Sequence, residues 1–335
     1  MSLEGDEKKG GSHEMEISEV RDFSEIKGVT ITSTINPHVV DVIEQWHERG
    51  VSHLWSECQV IDRIETHRGT LMEMIHRPRY GRACYMNGEI QSCEFDERLY
   101  HQTLVHPAMV HTPSPRRVMV IGGGEGATAR EALKWPSVER VDMYEWDKDV
   151  VDYFKKVSES RQSVEKEAWN DPRLVVHHVD IFSVVQQGIY PPIPYDVIIV
   201  DLFEPEEDER SWMLFTRLSS NLLSEHGSLV MYSGVRDPLN DIHPAERWLD
   251  HERIQLYHEN HLDINNIIMN RDIYSYKVFI PSFHNEASFL LLTHGNNNPQ
   301  WKSLNSSGIR SHFSKEIWTS YHTWNQYKDV LLFSY

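Results

Sequence analysis

The chain has 335 residues, enough for about two domains, and 39% hydrophobic content, ordinary for a globular protein with a real core. Its 51 acidic against 33 basic residues give a formal charge of −18, which disfavours nucleic acid and anionic membranes and steers polycations toward the surface. Three cysteines, Cys58, Cys84 and Cys93, show neither disulfide nor zinc spacing, and no segment reaches the roughly 18 apolar residues of a membrane span. A reducing, cytoplasmic location is the expectation.

Residues 1–27 are polar, charged and glycine-dotted, the composition of a disordered tail. Residues 28–112 are expected to form a β module and a connecting helix. Within it CQVIDRIET, LMEMIH and RACYM, separated by RG, RPRYG and NG, read as short antiparallel strands between His53 and about Ile90. A helix follows from about Glu94 through Leu99, Leu104 and Met109, and the PSP run from Pro113 ends the connection.

From residue 113 to 297 strands recur at RVMVIG, RVDMYEW, RLVVHHVD, DVIIVD and SLVMYSG with helical stretches between them. This is the pattern of an α/β doubly wound parallel sheet. YKVFIPSF and ASFLLLTHG read as a closing antiparallel pair, and 298–335 as a tryptophan- and tyrosine-rich C-terminal extension.

The first strand of this sheet runs into GGGEG. Gly122, Gly124 and Gly126 allow a sharp turn and close approach of a ligand, and the helix from about Ala127 offers free backbone donors. Glu145 falls about 20 positions past Gly124, where doubly wound folds keep a carboxylate for ribose hydroxyls. A pyrophosphate over this turn would be repelled by Glu125, whereas a cationic ligand would be welcomed.

Four successive strand ends carry Glu125, Glu145, Asp180 and Asp201, the edge at which open parallel sheets bind ligands. In a nucleoside-binding reading Glu145 takes the ribose and Asp180 accepts from the adenine amino group. Trp146 and Ile181 then flank the base, which is the Rossmann-like, class I methyltransferase-like layout of S-adenosylmethionine sites. Asp180 also suits a plain helix cap. Asp201 is placed to take a proton from an attacking amine, and Glu204 to hold a second ammonium of the same substrate.

Taken together, GGGEG with AREALK, EWDKDVV, DIF and DLFEP resemble the polyamine aminopropyltransferases, as does GRACYMNGEIQSCEFDERLYHQTLVHPAM upstream. The resemblance covers about residues 55–285. It implies a homodimer or homotetramer, and transfer of the aminopropyl group of decarboxylated S-adenosylmethionine to a polyamine or other small amine, without a metal. It also implies that Glu125 holds the donor ammonium, that Asp201 is the general base, and that Tyr100 bonds near the reacting amine. His101 follows Tyr100 as a pocket residue. Glu125, the Tyr100-His101 pair and IPSF are closer to the thermospermine synthase branch than to spermidine synthases.

Departures from the family fall on the acceptor side. Its Tyr-Gln-acid segment aligns with Leu71-Met72-Glu73, its glycine-proline loop is replaced by EEDERSWM, and Tyr232 stands where glutamine is expected. Two other readings remain open, an S-adenosylmethionine-dependent methyltransferase acting on a small amine and a non-catalytic nucleoside-binding homologue. Of the twenty histidines, neither His258 with His261 nor His177 with His178 has ligand spacing, and His106 and His111 read as packing or surface residues.

Overall fold

The computed structural model describes residues 28–33, 39–46, 51–161, 168–188, 190–202, 214, 217–235, 271–295, 299–301, 304 and 313–322. The N-terminal tail, Glu204 with its acidic loop, and the His258/His261 pair lie outside them.

The first sheet is a six-stranded antiparallel meander, β1 (Gly28–Ser33), β2 (Val39–Trp46), β3 (Val51–Glu65), β4 (Leu71–Arg77), β5 (Gly81–Met86) and β6 (Glu89–Cys93), in chain order. The expected strands are β3 to β5. The flanking ones were not legible: β2 places a carboxylate, Glu44, at an inward position, which breaks the apolar alternation. Glu44 is tolerated there because Arg77 and Tyr85 both bond it. Arg77 also lies over the Trp55 ring and donates to the Ser282 carbonyl at 3.2 Å.

Helix α1 (Glu97–His111) starts three residues later than the sequence suggests. Glu94 is drawn back to Arg82 (2.9 Å), and Asp96, at the cap position, spends its carboxylate on Ser282, accepting from its N–H (2.6 Å) and hydroxyl (2.8 Å). From Tyr100 onward α1 is buried on every face, against α2, β10, β11, β12 and β13. A helix in that position must satisfy its polar side chains internally.

The second sheet contains β7 (Arg117–Gly122), β8 (Arg140–Tyr144), β9 (Leu174–His177), β10 (Tyr195–Asp201), β11 (Leu223–Val235), β12 (Arg271–Ile280) and β13 (Asn285–His294). The order is β12-β13-β11-β10-β7-β8-β9, with the first five strands in sequence parallel and β13 inserted antiparallel between β11 and the edge strand β12. Counted within this sheet the order is 3-2-1-4-5-7-6, a doubly wound sheet with an antiparallel end. Val118 to Ile121 and Val197 to Val200 are buried throughout, as expected for central strands covered on both faces. Helices α2 (Ala127–Leu133), α3 (Lys148–Arg161) and α4 (Ile181–Gln187) follow β7, β8 and β9. Trp301, Leu304, Phe313 and Trp318 of the C-terminal extension, the last on α5 (Lys315–His322), pack into the core shared by α1 and the sheet.

Because α1 is enclosed, an ionic seam runs between it and α2. Arg130 donates to Glu97 (2.7 Å) and Glu131 (3.0 Å), Lys134 donates to Glu131 (2.6 Å), and His106 stands 3.3 Å from the second Glu131 oxygen. Trp135 donates its indole N–H to His106 Nδ1 (3.3 Å), so the His106 proton sits on Nε2, facing Glu131. His106 and His111 are thus packing residues, as read from the sequence.

Burial pushes the Glu97 carboxyl up, but bonds to His101 and the Arg130 charge outweigh it and hold it at about 2. A lowered carboxylate pKa contributes stability that is full above its unfolded value near 4.5 and is lost as pH falls through about 2. Glu97→Gln should therefore cost about 3 kcal/mol at pH 7 in denaturant unfolding. Its difference from the parent chain should close between pH 4.5 and 2.

Candidate active site

The glycine turn is held tightly by neighbouring protein groups. Gly122 and Gly126 adopt φ of +77° and +87°, and a Cβ on Gly122 would lie 2.1 Å from the Asp201 carbonyl oxygen on the neighbouring strand. At Gly124 a Cβ would stand 3.0 Å from the Glu145 carboxylate, and at Gly126 it would enter the Trp169 ring at 2.4 Å. The turn is thereby pressed against both Asp201 and Glu145.

Asp201, at the end of β10, accepts from the Tyr100 hydroxyl (3.1 Å) on one oxygen and from the Thr128 hydroxyl on the other. Burial raises its pKa, against the lowering effect of His101 and Thr128. A carboxylate raised in this way is a better proton acceptor than a free one. Tyr100 stays a neutral donor, its pKa driven up by burial and by Asp201. Its ring adjoins Tyr232, Phe283 and Phe289, so the position where glutamine was expected forms part of an aromatic wall.

Glu125 projects from the turn toward the same point. Its carboxylate accepts from Ser92 of β6 and faces His101 Nε2 at 2.8 Å. His101 Nε2 is also 4.0 Å from Asp201, while its Nδ1 lies 2.6 Å from the Glu97 carbonyl oxygen and 3.4 Å from the Glu97 carboxylate. Burial would lower the His101 pKa, but Glu125, Glu97 and Asp201 outweigh it and raise it well above the ordinary histidine value.

Glu145 directly follows β8, almost buried, and accepts from the Asp147 N–H (2.9 Å); burial raises its pKa. Trp146 beside it is 47% exposed, with the Arg68 guanidinium 4.8 Å over its ring. The β3–β4 turn brings Arg68 there, pinned by Thr66 to Asp147 (2.7 Å) and by the His67 N–H to Asp149 (2.7 Å). Asp180 caps α4, accepting from the Phe182 N–H (3.0 Å) and the Ser183 hydroxyl (2.8 Å), so the bland reading of this acid is realised. A carboxylate with two bonds made still has acceptor sites for an amino group. Ile181 packs into the core with Met119 and Ile121 and does not stand open beside Asp180.

The structure thus gathers Tyr100, His101, Glu125, Thr128 and Asp201 into one cluster, with Glu145 behind the turn. Thr128, Ser92 and Glu97 were not singled out from sequence. Thr128 and Glu97 had readable signals, the first turn of a helix after a glycine loop and an acid four residues before His101. Ser92 had none, because its role comes from the packing of β6 against the turn. Leu71-Met72-Glu73 is not part of the cluster: Met72 is core, and Glu73 pairs with Arg63 across the strands (3.3 Å). His177 is spent on Asp142 (2.7 Å) and stacks on Tyr144.

This fold, with a cluster of acids gathered at the carboxyl edge of its parallel strands, is that of a methyltransferase-like transferase. The family model described as spermine/spermidine synthase domain matches residues 97–239. A polyamine aminopropyltransferase of Pyrobaculum calidifontis is 35% identical over 218 residues, covering 63% of this chain and 68% of the relative. Polyamine aminopropyltransferase 1 of Hyperthermus butylicus is 39% identical over 159 residues, 46% of this chain and 53% of that protein, so this match spans about half the relative's length. In fold the chain is similar to spermidine synthase from Thermotoga maritima, with TM-score 0.65, 21% identity, and 83% and 89% of the two chains covered. A spermidine synthase bound to the transition-state analogue AdoDATO gives TM-score 0.66 at 21% identity, over 83% and 90%. The chain belongs to the polyamine aminopropyltransferase family.

The Thr128 hydroxyl favours the ionised form of Asp201. Thr128→Val should move the acid limb of the pH–rate profile upward by roughly one pH unit, with little loss at the plateau. An unmoved limb would show that the titrating group is not Asp201.

Proposed function

We propose that this chain transfers the aminopropyl group of decarboxylated S-adenosylmethionine to an aliphatic polyamine, releasing methylthioadenosine. The observation that carries the reading is the convergence on His101 of Asp201, a half-buried carboxylate with its pKa raised by desolvation, and Glu125, a carboxylate inside the glycine turn. Glu145 takes the ribose hydroxyls, and Asp180 and Trp146 serve the adenine. Glu125 faces the donor ammonium, which a donor that retained its carboxylate would spoil by repulsion. The neutral acceptor nitrogen attacks the propyl carbon next to the sulfonium. As the C–N bond forms, the C–S bond breaks, its electron pair stays on sulfur, and the surplus N–H proton passes to Asp201.

Tyr100 and Thr128 hold the Asp201 carboxylate in place for that transfer, and the Tyr100 ring is backed by Tyr232 and the core residue Phe289. Glu204 is assigned the distal ammonium of the acceptor, on the strength of its position three residues past Asp201. No metal takes part in this reading. The same reading places the enzyme in the cytoplasm as a homodimer or homotetramer, without nucleic-acid or membrane partners. The three buried free thiols fit a reducing compartment, and the strong net negative charge disfavours nucleic acid and anionic membranes.

One observation favours methyl transfer as a second reading: a cationic His101 beside Glu125 would attract the carboxylate of intact S-adenosylmethionine. Incubating the protein with each donor and a panel of amines, and following products by mass spectrometry, separates the two. Methylthioadenosine is expected; S-adenosylhomocysteine would overturn the proposal. Asp201→Asn should abolish transfer by about three orders of magnitude while donor binding changes less than about threefold. Equal loss of both would remove Asp201 from the role of base.

A further inference from the structure

His101 is the one histidine of the described site whose two ring nitrogens both face oxygen acceptors. Nδ1 lies 2.6 Å from a backbone carbonyl, that of Glu97, which cannot donate. Nε2 lies 2.8 Å from the Glu125 carboxylate and 4.0 Å from Asp201. A neutral imidazole would leave one nitrogen's lone pair aimed at an oxygen, so the free site holds imidazolium against carboxylate. The groups around it come from several elements. Glu97 and Tyr100 belong to its own helix, Arg130 reaches Glu97 from α2, and Glu125 comes from the turn with Ser92 of β6 behind it. Asp201 lies on β10, Tyr232 on β11, and the Cys84 thiol on β5 is buried near Glu125. Acids predominate, and burial alone would have discharged the ring.

This arrangement sets a conflict with the donor assigned above, on which this inference rests. The donor ammonium keeps its charge below about pH 10. To reach Glu125 it must come within about 4 Å of the imidazolium, in a site that screens poorly. We propose that His101 is a specificity-determining residue that yields its Nε2 proton to solvent when the donor binds. The neutral ring keeps its Nδ1–H on the Glu97 carbonyl and turns an Nε2 lone pair toward the incoming ammonium. A competitor for Glu125 thereby becomes a second ligand for the same cation. In the free enzyme the imidazolium neutralises a half-buried carboxylate that otherwise accepts from the neutral Ser92 hydroxyl. Donor binding is therefore coupled to proton release, and donor affinity rises with pH, up to tenfold per unit while the free enzyme's His101 remains protonated.

The test is calorimetric titration of the full chain between pH 7 and 9, in pairs of buffers with different ionisation enthalpies. The ligands are decarboxylated S-adenosylmethionine and methylthioadenosine, which has the same nucleoside but no ammonium. The donor should release close to one proton and methylthioadenosine none, and His101→Gln should release none with either. Donor binding without proton release in the parent chain would overturn the proposal while leaving the assigned reaction intact, and it needs no variant to fold. Equal proton release by His101→Gln and the parent would also overturn it, by locating the proton elsewhere. Binding of methylthioadenosine with no donor binding at any pH would remove the donor reading, and this inference with it.

Discussion

Three carboxylates, Glu97, Glu125 and Asp201, converge on one buried histidine, and the rest of the structure is arranged around keeping that convergence tolerable. Ionised carboxylates of this kind are costly to bury unless they are paired and hydrogen-bonded. His101 answers Glu125 directly and lies 3.4 Å from the Glu97 carboxylate, Arg130 answers Glu97, and the hydroxyls of Ser92, Tyr100 and Thr128 take up other oxygens. Those partners come from three separate elements, β6, α1 and α2. The site thus requires the first sheet, α1, the glycine turn and the second sheet to be in place together.

The positions follow from topology. Parallel strands β7, β8 and β10 end on one edge of the sheet, which brings Glu125, Glu145 and Asp201 to a common rim although they are far apart in sequence. The N-terminal sheet closes that rim from outside. Its β3–β4 turn binds Asp147 and Asp149, its β6 supplies Ser92, and Arg77 and Asp96 grip the segment Pro281–Phe283. Phe283 in turn flanks Tyr100, so the contact between the two sheets reaches the residues around Asp201.

The strands of the second sheet were legible because they are buried on both faces and read as continuous apolar runs. The glycine turn was legible because positive φ leaves few alternatives to glycine. The antiparallel pair was read as such, but its strands extend further toward the N-terminus than the apolar run showed: β12 begins at Arg271, where polar residues still pair in the ladder. The strand-end acids were visible as a set, yet pattern alone could not divide their roles. Asp180 is engaged as a helix cap and Ile181 in the core, whereas Asp201 collects donors from two elements. The ionic seam between α1 and α2 was the least legible feature. Glu97, His101, Arg130, Glu131 and Lys134 look like solvated helix residues until the burial of α1 is known.

The protonation of His101 is the hinge of this account. Nitrogen NMR of the chain carrying ¹⁵N-histidine, with the His101 signals assigned by their loss in His101→Gln, reads both ring nitrogens directly at pH 7 to 8. The account predicts that both are protonated in the free enzyme, with shifts typical of imidazolium, while fully exposed histidines are largely neutral. A His101 ring with one unprotonated nitrogen under those conditions would contradict it.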